Sequence, residues 1–244
     1  MRRRRKRRSI DPRRLLWVLF VANLIAGLFF SRLTAIGQIR VEGAQPTDQK
    51  RIQSLLVRIH DKPSLQVNPH EVETWLQSKG AIAKAEMTRN IFGRALVTLE
   101  YRRPVGAIEG VKGVAIARDG TVFQCDEDLT GLPTIKPPQD AMEPHITLTG
   151  TWNSRDAAGV ASELADISRA RGLRITSSDE GRLSIIIGSK FAVDLGDSTR
   201  LDEKIDYLRG QLDAKPDLLE SGRTLVLVSI ENPMYREGVG KSKT

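Results

Sequence analysis

Three histidines, one cysteine and a short acidic run are the residues of this chain that suit metal or acid–base chemistry. Their spacing does not assemble a site. His60, His70 and His145 lie far apart in unrelated elements. Neither His-x-x-x-His nor a paired-cysteine pattern occurs, so a metal centre is not expected. His70 reads as a solvated residue of a first helical turn. Cys125 has no second cysteine to bridge, and with no catalytic neighbour it reads as a half-buried strand residue, not a nucleophile. Asp126, Glu127 and Asp128 beside it read as a solvated turn, because a cation needs more ligands than these supply. Gly240-Lys241-Ser242 has the end of a phosphate-binding loop, but that loop needs a further glycine where Tyr235 stands. The nucleophile-elbow pattern Gly-x-Ser-x-Gly is absent. No cofactor, metal or small-molecule substrate is expected, and these residues read as those of a non-enzyme.

The elements around them say more. The chain of 244 residues carries a net charge of +8, and its first fourteen residues account for all of it. Arg2, Arg3, Arg4, Arg5, Lys6, Arg7, Arg8, Arg13 and Arg14 stand there against Asp11 alone. A nucleic-acid binder spreads basic charge over a folded face; here the remaining residues balance, so no nucleic-acid partner is expected.

Directly after the arginines, Leu15 to Phe30 read LLWVLFVANLIAGLFF, sixteen residues without a charge. As a helix they cover about 24 Å at about 1.5 Å per residue, against about 30 Å of bilayer core. Continuation through Ile36 reaches about 33 Å, with Arg32 snorkelling at the interface. A single transmembrane helix over 15–35 is therefore expected. The excess of bases before it puts residue 1 in the cytoplasm and the bulk on the far side of the plasma membrane. A nucleic-acid arm is the alternative for the basic tail, but its position against an apolar run favours topology and contact with anionic lipid. A cleaved export signal is the alternative for the apolar run. The stretch SRLTAIGQ offers only poor small-residue pairs for cleavage, so an uncleaved anchor is expected.

Beyond the apolar run, Ile39 and Val41 alternate as on a strand, and Gly43 ends it. Thr47 is a candidate cap for a helix with Ile52, Leu55, Leu56 and Ile59 at helical spacing. Asn68-Pro69-His70-Glu71 predicts a second helix start, with Asn as cap, Pro in the first turn and Glu reaching back. Ala83, Ala85 and Met87, then Ala95, Val97, Leu99 and Tyr101, predict two strands joined by a turn at Asn90 to Gly93. The order is β-α-α-β-β, with a core expected from Val41, Leu55, Leu56, Trp75, Leu76, Val97 and Leu99. A second unit follows. Arg118-Asp119-Gly120 signals a hairpin, Ile146 to Gly150 a strand, 154–171 a helix, Arg182 to Leu195 another hairpin, Thr199 to Leu212 a helix, and Thr224 to Ile230 a last strand.

The set has a family likeness. The I-x-V-x-G opening, the β-α-α-β-β order and the ending Leu99-Glu100-Tyr101-Arg102-Arg103-Pro104-Val105-Gly106 resemble the POTRA domain of the FtsQ/DivIB family of bacterial cell-division proteins. That family's domain closes on E-R-x-P-V-A, and Arg103 is an extra arginine here. Val114 to Phe123 (VAIARDGTVF), Leu132-Pro133, and Val193-Asp194-Leu195-Gly196 before a helix containing Lys204 resemble its β domain. The family's D-L-R in the last strand is replaced by Leu227-Val228-Ser229. The resemblance spans about residues 1–236. It implies an α+β chain: a basic cytoplasmic tail 1–14, a single N-terminal transmembrane helix, a POTRA domain over 36–105 and a mixed β domain with flanking helices over 106–236; the short polar tail 237–244 reads as disordered.

The resemblance further implies a bitopic membrane scaffold of the divisome, acting at the septum. Its POTRA unit contacts earlier-arriving division proteins, and its β domain holds FtsB/FtsL-type partners that control septal peptidoglycan synthesis. Leu225, Val226, Leu227 and Val228 are apolar on both faces, which fits either a strand buried on both sides or an edge strand that takes a partner chain. The resemblance favours the second. The expected partner-binding residues are Thr224, Leu225, Val226, Leu227, Val228, Ser229, Ile230, Glu231 and Asn232. A membrane-anchored cell-wall enzyme or protease is the alternative from another class, and needs a pocket with convergent titratable groups. An outer-membrane assembly factor needs a barrel or further repeats.

Overall fold

The computed structural model describes residues 12–138 and 152–237. His145, the strand expected over 146–150, the start of the basic tail and the tail after 237 lie outside the described residues. The chain divides into two compact units, Met1–Tyr101 and Arg102–Thr244.

The first unit opens with helix α1, Pro12–Phe30. Among the described residues no helix is long and apolar enough to cross a membrane. This overturns the expected transmembrane helix over 15–35, and the residues after Phe30 give the reason. The expected span needed the helix to continue through Ile36. Instead it ends at Phe30, and a short 3₁₀ turn follows at Arg32–Thr34. Ile36 is wholly buried in the core of the first unit. Its N–H donates to Lys62 O at 2.9 Å and its carbonyl accepts from Asp61 N at 3.0 Å. At the other end Arg13 and Arg14 occupy the first turn, so the uncharged part of α1 is about 24 Å long. Trp17, Phe20 and Phe30 of this helix are exposed.

Strand β1, Gln38–Glu42, is followed by α2, Gln49–Leu56, and α3, Pro69–Gln77. Strands β2, Ile82–Arg89, and β3, Arg94–Tyr101, complete the unit. β3 is central, parallel to β1 and antiparallel to β2. Asn68 caps α3, accepting from His70 N at 3.1 Å, and its side-chain amide donates to Glu71 Oε1. The cap position of α2 is held by Asp48 rather than Thr47. Ala95, Val97 and Leu99 of β3 face a core that takes Ile52 and Leu56 from α2 and Leu76 from α3. Val41 and Trp75 pack at its margin. Leu55 is only half-buried: Ile52 and Leu56, one helical turn apart, form the inward stripe, and Leu55 lies on its flank.

The second unit is built on a nine-stranded mixed sheet. Its strands are β4, Pro104–Ile108; β5, Val114–Ala117; β6, Val122–Gln124; β7, Thr134–Lys136; β8, Leu173–Ser177; β9, Leu183–Ile187; β10, Phe191–Gly196; β11, Arg223–Val226; and β12, Met234–Glu237. Their spatial order is β12-β11-β10-β9-β8-β7-β4-β5-β6. Helices α4, Ser154–Glu163, α5, Ala165–Arg171, and α6, Leu201–Ala214, contribute Val160, Leu164, Ile205 and Leu208 to a core shared with the alternate residues of β8, β9 and β10. The helix expected over 154–171 is thus two helices, divided at the buried Leu164, whose φ of −102° and ψ of 18° leave the helical range. Gly120 turns the β5–β6 hairpin at φ +82°, and a Cβ there would lie 2.7 Å from Arg155 N.

The flank position of Leu55 and the core position of Leu56 set up a paired test. Leu56→Asp buries an unpaired carboxylate and costs at least about 3 kcal/mol. It should abolish amide protection across β1, β2 and β3 in hydrogen exchange. Leu55→Asp should leave that protection in place; equal loss in both variants would show that the inward stripe is misassigned.

Candidate functional site

Residues 224–232 do not form one strand. Thr224, Leu225 and Val226 belong to β11, which has neighbours on both sides: β10 runs parallel to it and β12 antiparallel. Thr224 pairs with Ala192 and Arg236, Leu225 with Val193 and Tyr235, and Val226 with Asp194 and Met234. The expectation that this strand is a free edge is therefore corrected. Its two apolar faces reflect an interior position: Leu225 is wholly buried towards the helices, and Val226 is 8% exposed between Asp194 and Met234.

The remaining predicted residues form a connection. Leu227 is wholly buried, and its N–H donates to Asp194 O at 2.7 Å. Val228 is exposed on one side and lies against Gly196 on the other. Gly196 has φ +66°, and a Cβ there would stand 3.1 Å from Val228 Cγ2, so space and backbone both call for glycine. Ser229 Oγ donates to Glu231 Oε2 at 2.5 Å. Ile230 is half-buried and Asn232 exposed.

The sheet has two edges, β6 and, on this side, β12. Among the described residues only β11 lies beside it, and all four of its side chains are exposed. Tyr235 Oη donates to Gln211 Oε1 of α6 at 2.9 Å, which puts Tyr235 on the helix side of the sheet. Met234 and Arg236, its neighbours along the strand, point to the other side. Burial raises the Tyr235 hydroxyl pKa, with a smaller push from Tyr207. The sequence reading missed this strand because it carries no alternation of burial to detect. Asn232-Pro233 is the signal that was available: it favours turn initiation, and after it the chain reverses onto β11.

Two polar centres hold the approach to β12. Lys204 is 2% exposed, and its ammonium donates to Leu195 O at 2.8 Å, Asp197 O at 2.9 Å and Asp197 Oδ1 at 3.3 Å. That last bond is the main cause holding the exposed Asp197 carboxyl below the usual range. Arg200 has a left-handed backbone, φ +53°. Its guanidinium donates to both oxygens of Glu203, at 2.9 and 2.5 Å, and to Glu231 Oε1. The Ser229 hydroxyl, then the backbone N–H of Glu231 and the Arg200 guanidinium, depress the Glu231 carboxyl to about 2.

Among the described residues, those considered for chemistry stay apart. His60 pairs with Asp61 at 3.0 Å and His70 with Glu73 at 3.7 Å. The backbone N–H and hydroxyl of Thr130 donate to Asp128. Cys125 follows β6, half-buried, with its thiol pKa raised by that burial. Among the described residues no group of three or more His, Cys, Asp or Glu is placed to hold a metal ion. Comparison with protein-family models and with curated proteins finds no match for the chain.

The Glu231 carboxyl offers a direct check of this geometry. Its folded pKa lies below the ordinary glutamate value of about 4.3, so its contribution to holding the turn is present above that value and is lost as pH falls towards about 2. A carbon-detected NMR titration should find its midpoint near 2. In Arg200→Gln the midpoint should rise yet stay below the ordinary value, since the Ser229 and backbone donors remain. An ordinary midpoint in the unsubstituted chain would contradict the arrangement.

Proposed function

We propose that this chain is a scaffold of the bacterial division machinery, of the FtsQ/DivIB type, which holds an FtsB/FtsL-type partner by accepting one of its segments as an added strand. The observation carrying the proposal is the outward edge of β12. It ends a nine-stranded sheet, and among the described residues no further strand pairs with its outer side, so its backbone groups can take another chain. The β6 edge is three residues long and partly buried, which makes it the poorer acceptor. Exposed Val228, Met234 and Tyr235 around β12 supply apolar contact for alternate residues of an incoming strand. The family likeness assigns the same end of the second unit to the coiled-coil partners.

In this reading the work is recruitment rather than catalysis. Septal peptidoglycan synthesis is controlled through the docked partners, and the first unit meets division proteins that arrive earlier. The place of action is the cell membrane at the septum. Support for that comes from the exposed apolar side chains of α1 and the run of bases before it; such a segment has affinity for a lipid surface carrying anionic headgroups. Confinement to a membrane raises the effective concentration of partners held there.

Proline scanning of β12 tests the docking edge. Adjacent residues of an edge strand point their N–H groups alternately inward and outward, so Tyr235→Pro and Arg236→Pro remove one of each. The inward loss weakens pairing with β11. The outward loss should leave the fold intact by circular dichroism and weaken binding of the host's FtsB-type protein by about tenfold or more. Unchanged binding by both variants would remove β12 from the proposal.

A further inference from the structure

The turn that delivers β12 is stitched at three points to the last residues of β10 and the loop from β10 to α6. Asp194 accepts from Leu227 N, Gly196 receives Val228, and Arg200 holds Glu231. Each stitch lies further along both segments, so the pair closes like a seam. We infer that the last stitch, Arg200 with Glu231, is a latch that sets the position of β12 and prepares its outward edge for the docking proposed above, a role that rests on that docking reading. Arg200 and Glu231 are positioning residues here; neither is assigned a contact with the partner.

By itself β12 is weakly held. It buries no side chain, and only four residue pairs tie it to β11. A strand of this kind frays unless its entry is fixed. Leu227 fixes the start of the turn by burial. Five residues then separate Val228 from Met234, and among them Glu231 has both carboxylate oxygens engaged, one by Arg200 and one by Ser229. An isolated surface ion pair contributes little. This one differs in two ways. The guanidinium is already oriented by its two bonds to Glu203, so little freedom is lost in holding Glu231. It also stands between two carboxylates, so its removal leaves Glu203 and Glu231 in mutual repulsion.

The backbone supports the same role. Arg200 is one of two non-glycine residues with positive φ among the described residues. A left-handed conformation is unfavourable for a residue with a Cβ, and glycine would adopt it freely. An arginine at that place is accounted for by its side chain. The buried Lys204, bonded to the carbonyls of Leu195 and Asp197, fixes the loop from which Arg200 projects. A pre-ordered edge strand loses less freedom when a partner strand adds to it, and affinity rises accordingly.

Arg200→Gly and Glu231→Gln test the latch in the full chain. The first keeps the left-handed backbone and deletes the guanidinium; the second keeps the shape of Glu231 and deletes its charge. Both should speed amide exchange at Met234 to Glu237 by about tenfold, Arg200→Gly more than Glu231→Gln, while β9 and β10 keep their protection. Both should weaken binding of the host's FtsB-type protein. The double variant should bind no worse than Arg200→Gly alone, as groups acting together require. Wild-type exchange at β12 in both single variants would overturn the latch. So would wild-type binding by both, if β12 prolines abolish binding; the docking reading then survives without it. If β12 prolines bind normally, the docking reading fails, and faster β12 exchange in Arg200→Gly still supports the latch as a structural device.

Discussion

A lysine ammonium withdrawn from water needs acceptors for its three N–H groups, because the cost of stripping its hydration is otherwise unmet. Lys204 meets this at the corner where β10 gives way to α6, with the carbonyl of Leu195 near the end of β10 and the carbonyl and a carboxylate oxygen of Asp197 just after it. The corner cannot relax without leaving that charge uncompensated. Asp194 follows as a ladder residue that also takes Leu227 N beyond the end of β11. Gly196 makes room for Val228. Arg200 reaches the turn before β12. The placement of the sheet's last strand thus descends from one buried charge in the first turns of α6. A hydrophobic residue at position 204 fills the space but leaves the carbonyls of Leu195 and Asp197 without that donor.

At the other end of the chain a different constraint operates. Ile36 is wanted by two structures: a longer helix, or the core of the first unit. Burial in that core comes with two backbone hydrogen bonds, to Lys62 and from Asp61. The carbonyl of Gly93 then accepts from Gly37 N and Gln38 N, which leads the chain into β1. Continuation of α1 would forfeit these contacts and β1's entry together. The helix therefore stops at Phe30, and the carbonyl of the preceding Phe29 accepts from Gln66 Nε2. Apolar side chains of α1, Trp17, Phe20 and Phe30 among them, stay exposed.

These two places show which features were legible in the sequence. Local rules with a short reach were readable. The Asn68 cap is an interaction between residues two apart, and the Asn-Pro-x-Glu pattern announces it. The alternation of Ala95, Val97 and Leu99 follows from one buried face, and Asp119-Gly120 makes a tight turn whose Asp accepts from Thr121 N. The α+β class follows from such pieces. Competition between distant segments was not readable. Nothing between Leu15 and Ile36 announces that Ile36 belongs to a core containing Leu76 and Val97. Likewise the apolar run 225–228 fits an edge with a partner or an interior strand with neighbours, and only Pro233 and the return of Met234 to Glu237 decide for the second. The proposed docking edge itself was invisible, because an edge strand with four exposed side chains has no hydrophobic period.

That invisibility is also a physical property of the edge. A strand held by burial resists exchange of partners on its free side only through backbone availability, since its own position is settled. β12 is held otherwise: by its pairs with β11, the Tyr235–Gln211 bond and the seam at its entry. None of these buries a side chain of β12 itself, so the strand sits at the low-stability end of the unit. A strand docked as proposed would add ladder bonds on the open side and cover Met234, Tyr235 and Val228, the apolar burial that β12 lacks. The same weakness that hides β12 from a reading of hydrophobic pattern would make its order sensitive to occupancy under the proposed docking. It also explains why polar groups with defined geometry, rather than further leucines, stand at its entry: they fix the strand's direction without closing the apolar surface on which a partner would rest.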